Sequence, residues 1–194
     1  MTDETRSEAR ADAAMDRYAG GQESAFSDLY DLIAPRLHSY LLLKTRDESA
    51  TEDILQQTFV NIHEARGRFL RGARVMPWAV SIARRLFIDS KRRHKRECPL
   101  SDEHAETVAK LVAADAAPDL QLASQRTARQ IAEALERLPP RQREAFELVR
   151  CMGLSQAQAA EVLGTSALAV KLRIHRASDA LRRSLSAVLN ARQL

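Results

Sequence analysis

The chain has 194 residues, enough for one domain or two small ones, and six Gly, six Pro and few aromatics among runs of Ala, Leu, Glu and Arg. No segment shows the sustained alternation of a half-buried strand, which excludes a sheet-based fold and leaves an all-α class of two small helical domains. The net charge of +4 is unevenly laid out, at −6 over residues 1–60, +8 over 61–97, −3 over 98–138 and +5 over 139–194, which excludes a single basic tail and points to two surfaces that each meet polyanion.

The N-terminus, MTDETRSEARADAAMD, is acidic where a signal peptide is basic and then apolar. No apolar run reaches the ~18 residues of a membrane span. A cytoplasmic protein without membrane contact of its own is expected. Residues 22–43 place Phe26, Leu29, Tyr30, Ile33, Leu37, Tyr40 and Leu41 at helical spacing, which predicts a core-forming helix. Pro35 should bend or divide it, because an interior proline removes a backbone donor and crowds the preceding turn.

Residues 49–66 predict a second helix with Ser49 as its cap and Ile54, Leu55, Thr58, Phe59 and Ile62 on one face. The opposite face is acidic and amide-bearing, with Glu52, Asp53, Gln56 and Gln57. A third helix over 75–97 turns Trp78, Ala79, Ile82, Ala83 and Leu86 inward. Arg85, Asp89, Arg92 and Arg96 fall on another face, and the helix ends in the run KRRHKR at 91–96.

From Cys98 to about Leu122 the chain is Ala-rich, acidic and bracketed by Pro99 and Pro118, as expected of a linker. Cys98 and Cys151 lack C-x-x-C spacing and read as reduced thiols. Helical patterning resumes over Ala123 to Leu138, stops at Pro139 and Pro140, and restarts with Phe146, Leu148 and Val149 available for packing.

Residues 153–177, GLSQAQAAEVLGTSALAVKLRIHRA, form a helix-turn-helix pattern. Ser155 caps the first helix, Ala160 allows close crossing, Gly164 takes the turn and Val170 is buried. Val170, Ile174, Ala177 and Leu181 make one apolar stripe on the second helix, while Lys171, Arg173, His175 and Arg176 lie off it. Major-groove docking needs such a helix, held on one side and offering donors on the other.

In order along the chain, SATEDILQQTF, PWAVSIARRLFIDSKRR, LPPRQREAFELVRCMGLSQAQAAEVLG and VKLRIHRA resemble four motifs of the bacterial extracytoplasmic-function sigma factors, the two-domain class of the sigma-70 family. The resemblance implies a region 2 domain over 1–97, a linker over 98–122 and a region 4 domain over 123–194. It implies a promoter-specificity subunit without catalysis, cofactor or metal. Its partners would be the clamp of the RNA polymerase core, promoter DNA and an anti-sigma factor.

Residue by residue, the resemblance makes Glu52, Asp53, Gln56 and Gln57 the polymerase contacts, with Gln57 where the family commonly has Glu. For opening the −10 element, the loop at 67–76 would bring Arg71 and Arg74 to the displaced strand, with Arg84, Arg85, Arg92 and Arg93 along the backbone. Trp78 reads as core rather than as a stacking platform. At the −35 element, Lys171, Arg173 and Arg176 match the reading positions, and Thr165 and Ser166 suit phosphate contact. Leu168, Ala169, Leu172 and Ser178 depart from the family pattern, and Leu172 replaces a small hydroxyl with an apolar side chain.

Enzymatic motifs are missing from the pattern. His63 and Glu64 begin an H-E pair, yet Gly67 stands where a zincin needs its second His, and no P-loop or G-x-S-x-G occurs. The rival reading is a polymerase-independent helix-turn-helix regulator, which leaves the 49–66 face and the second basic block unexplained.

Overall fold

In α2 (Ala25–Thr45) the apolar residues Leu29, Ile33, Leu37 and Leu41 recur every four positions, and all four are fully buried in the computed structural model. The structure describes residues 3–97, 131 and 133–190, and these divide between two compact units, Met1–Ser101 and Asp102–Leu194. No described helix is long and apolar enough to cross a membrane.

In the first unit α2 packs against α1 (Asp3–Ala19), α3 (Glu48–Ala65) and α4 (Val75–Glu97). α1 is absent from the sequence-based expectations, because its apolar stripe is only Ala11, Ala14, Met15 and Tyr18 within an acidic run. Packing against α2 buries all four. Residues of α3 expected inside, Ile54, Leu55, Thr58, Phe59 and Ile62, are buried.

Four expectations are corrected. Pro35 does not divide α2, since Asp31, whose carbonyl loses its helical donor, and Pro35 itself are exposed where water can serve. Asp47, not Ser49, caps α3: its backbone is extended and its carboxylate accepts the Ala50 N–H at 2.7 Å, a better match to the positive end of the helix. Tyr30 is 42% exposed instead of belonging to the core. On α4 the buried face is Val75, Met76, Ala79, Val80 and Ala83, whereas Trp78, Ile82 and Leu86 are half-buried at its edge. Ala79 and Ala83 are fully buried in that face, where α4 packs against α2 and α3.

In the second unit a helical stretch at 133–136 precedes α5 (Pro140–Phe146), which continues as a π turn, Glu147–Cys151. α6 (Gln156–Leu163) and α7 (Ala167–Asn190) follow. α7 packs against α5 and α6, and Ala177 and Leu181 join Ala134, Leu135 and Leu138 in one apolar cluster with Phe146 against it. The expected linker over 98–122, and residues 123–130 beyond it, lie outside the described residues.

Candidate nucleic-acid interface

The helix-turn-helix is built by local bonds. Ser155 Oγ accepts the Gln158 N–H at 3.2 Å and Gln158 Oε1 accepts the Ser155 N–H at 2.8 Å, a reciprocal capping box. Gly164 ends α6 in the left-handed conformation at φ 59°, and its N–H bonds back to α6 carbonyls. Ser166 Oγ then accepts the Ala169 N–H at 3.2 Å and starts α7.

Val170, Ile174, Ala177 and Leu181 are buried as the pattern requires. That rotation leaves Leu168, Lys171, Leu172, His175 and Arg176 exposed and Arg173 half-buried. Leu172 is 50% exposed, so it presents apolar surface outward beside Lys171. Ser166 spends one lone pair on the cap and keeps its O–H to donate, while Thr165 is half-buried in the turn. His175 Nδ1 lies 3.0 Å from Asp179, which also takes Arg182 at 2.9 Å. Asp179 therefore gives His175 a partner within α7, one that sequence spacing four residues apart could have revealed.

In the first unit, Asn61, Glu64, Ala65 and Arg68 face Ile82, Arg85, Leu86 and Asp89 across a cleft of about 480 Å³ between α3 and α4. Of these lining groups only Arg85 is among the expected DNA contacts. The cleft combines two cations, two carboxylates and an amide with the apolar floor of Ile82 and Leu86. Such a set can hold a planar base by its edge and its face. Trp78 leans on Phe69 with ring centroids 5.1 Å apart, so its ring is engaged in packing. Arg92 and Arg93 are exposed further along α4, and Arg84 is half-buried.

The structure turns Arg71 and Arg74 toward α1. Arg74 Nη1 pairs with Asp12 at 3.1 Å, and the Arg71 guanidinium lies against Gly20. Neither pairing is legible from the loop itself.

Glu52, Asp53, Gln56 and Gln57 are all exposed on α3. Glu52 and Gln56 border a groove of about 830 Å³ walled by Tyr18, Phe26, Tyr30, Leu55, Phe59 and Val60. Tyr30 and Phe59 have ring centroids 4.5 Å apart, and Val60 is 43% exposed. Gln57 instead bonds Asn61 at 3.0 Å on the next turn. The face thus carries an aromatic groove as well as polar contacts, which the polar pattern alone does not reveal.

A helical unit with an outward basic helix, and another with a cleft of mixed charge that holds two arginines and a mixed polar and apolar face on α3, fit the class of DNA-binding proteins that also engage a protein partner. Comparison with known proteins gives the family. Residues 29–97 match the model of Sigma-70 region 2, and residues 128–181 match that of Sigma-70, region 4. The RNA polymerase sigma factor CarQ of Myxococcus xanthus is 36% identical, covering 88% of this chain and 95% of its own. The ECF RNA polymerase sigma factor SigF of Caulobacter vibrioides is 33% identical, covering 91% and 94%.

Among solved structures, the sigma factor RpoE of Bartonella quintana, in complex with the anti-sigma factor NepR, is similar with a TM-score of 0.65 at 25% identity, covering 83% of this chain and 96% of that one. CnrH in complex with the cytosolic domain of CnrY is similar with a TM-score of 0.65 at 27% identity, covering 94% and 98%. The chain belongs to the extracytoplasmic-function sigma factors of the sigma-70 family. It is an RNA polymerase sigma factor that directs promoter-specific transcription initiation.

Proposed function

We propose that the two units divide this work, the first binding core polymerase and opening the −10 element, the second reading the −35 element. Carrying the reading is the cleft between α3 and α4, where Arg68 and Arg85 can take phosphate while Asn61, Glu64 and Asp89 meet the edge of an unstacked base. Lys171, Arg173 and Arg176 of α7 enter the major groove with Thr165 and Ser166 toward phosphate, and Leu172 offers a surface for a thymine methyl.

Core polymerase docks its clamp on Glu52, Asp53, Gln56 and Gln57, and the neighbouring aromatic groove accepts an apolar side chain from the same partner. An anti-sigma factor holds the free protein inactive by covering one of these faces, a reading supported by the complexes of RpoE with NepR and CnrH with CnrY. The protein acts in the cytoplasm and carries no catalysis of its own, in keeping with a family that works through polymerase.

Run-off transcription with core enzyme on a promoter library tests the whole reading and yields both recognised elements. Transcripts should depend on both the −10 and the −35 element, and dependence on neither would overturn the proposal. Charge reversal at Glu52 and Asp53 should abolish co-elution with core polymerase, and retained co-elution would remove that face from the assignment.

A further inference from the structure

Glu8, Asp12 and Asp16 recur every four residues along α1 and form one acidic stripe. The stripe lies against the turn that leads into α4. Asp16 accepts the Gly72 N–H with both carboxylate oxygens, at 3.0 and 3.3 Å. Asp12 Oδ1 accepts the Val75 N–H, the first of α4, at 2.9 Å, while its Oδ2 takes Arg74 at 3.1 Å. Glu8 pairs with Arg36 at 3.2 Å and reaches Arg74 at 3.9 Å. Gly72 has φ 80°, a conformation that only Gly adopts without strain, so the bond from Asp16 holds the most permissive point of the turn. The Ala73 N–H closes the turn on Leu70 O at 3.0 Å, and the Leu70 side chain stands 78% exposed at its tip.

Carboxylates beside a DNA-binding surface repel phosphate, so their presence calls for a compensating role. A short turn with a left-handed Gly samples many shapes when free, and fixing it in advance moves that entropy cost from DNA binding to folding. We propose that Asp12 and Asp16 are positioning residues for promoter opening: α1 clamps residues 70–75 in the shape that meets the displaced strand. The proposal rests on reading the adjacent α3–α4 cleft as the −10 site. It also reassigns Arg74 from a DNA contact to part of the clamp.

The test uses full-length protein with core polymerase on a promoter carrying 2-aminopurine in the −10 element, and compares Asp16→Ala, Asp16→Asn, Arg74→Ala and Arg85→Ala. Asp16→Ala should slow opening roughly tenfold, the scale of one lost bond to a charged group, and Asp16→Asn, which keeps an acceptor, should recover most of it. Affinities for core polymerase and for isolated −35 duplex should stay unchanged. Arg74→Ala should slow opening without altering the salt dependence of DNA binding, whereas a slope reduced by about 0.7 would return Arg74 to the phosphate contacts and overturn its reassignment.

Wild-type opening by Asp16→Ala beside impaired opening by Arg85→Ala would overturn the clamp and leave the −10 reading standing. Wild-type opening by both variants would overturn the −10 reading as well. A parallel loss of core and −35 binding in Asp16→Ala would also overturn the proposal, since Asp16 would then act through general stability.

Discussion

Ser155 and Gln158 exchange hydrogen bonds across the first turn of α6, at 3.2 and 2.8 Å, and so satisfy two N–H groups that a helix start leaves unpaired. Ser155→Ala removes the acceptor for the Gln158 N–H and should cost the second unit about 1 kcal/mol. Urea denaturation followed by circular dichroism checks this, with Ser155→Asp expected near wild type because it caps equally well. A loss in Ser155→Asp equal to that in Ser155→Ala would show that the cap is not the source.

Gly164 sits at φ 59°, yet a Cβ placed on it would meet nothing within 4 Å. The cost of substitution is therefore backbone strain alone. Gly164→Ala should destabilise by roughly 1 kcal/mol, and Gly164→Val by more, because β-branching tolerates the left-handed region worse. Equal losses in thermal unfolding of the two variants would contradict the strain account.

Tyr18 is buried, and burial pushes its phenol above the ordinary 10.0; Arg66 opposes this and Glu23 adds to it. The folded state then keeps its proton where the unfolded state has lost it. Stability contributed by this group is whole below about pH 10 and falls as pH rises through the folded value. Tyr18→Phe should flatten that alkaline decline and also remove the contact to His63 Nδ1. Urea midpoints measured from about pH 8 to about pH 11 decide the matter, and an unchanged decline would exclude Tyr18 as its cause.

Lys171 and Arg176 are exposed, whereas Arg173 is half-buried at the edge of the α7 stripe. Arg173→Ala and Arg176→Ala should each weaken −35 binding by about 1–3 kcal/mol if they reach base edges. A pure phosphate contact would instead weaken all sequences alike and lower the salt slope by about 0.9. Leu172→Ser should relax preference at one base pair without changing that slope. Footprint titrations over several salt concentrations separate these outcomes, and an unchanged footprint for both arginine variants would remove them from the interface.

The helix-turn-helix was legible in the chain because it is made by contacts of short range. Ser155 to Gln158, Gly164 in its turn, and Val170 to Ile174 all lie within one or two helical turns, where spacing alone decides who meets whom. The polar face of α3 was legible for the same reason, since its Glu52, Asp53, Gln56 and Gln57 are exposed by the burial of Ile54, Leu55 and Phe59.

Other relationships depend on how separate helices dock. Asp12 reaches the Val75 N–H across 63 positions, and Asp16 reaches Gly72 across 56. No local pattern marks those pairs, and an acidic N-terminal run reads as a solvated face until α1 is laid on α2. The α3–α4 cleft likewise exists only once Asn61 and Arg68 face Arg85 and Asp89. Periodicity determined which side of each helix is apolar, and through it which residues of α7 face outward. Tertiary packing decided which charges spend themselves on partners within the fold, as Arg74 does on Asp12, and which remain for DNA and polymerase.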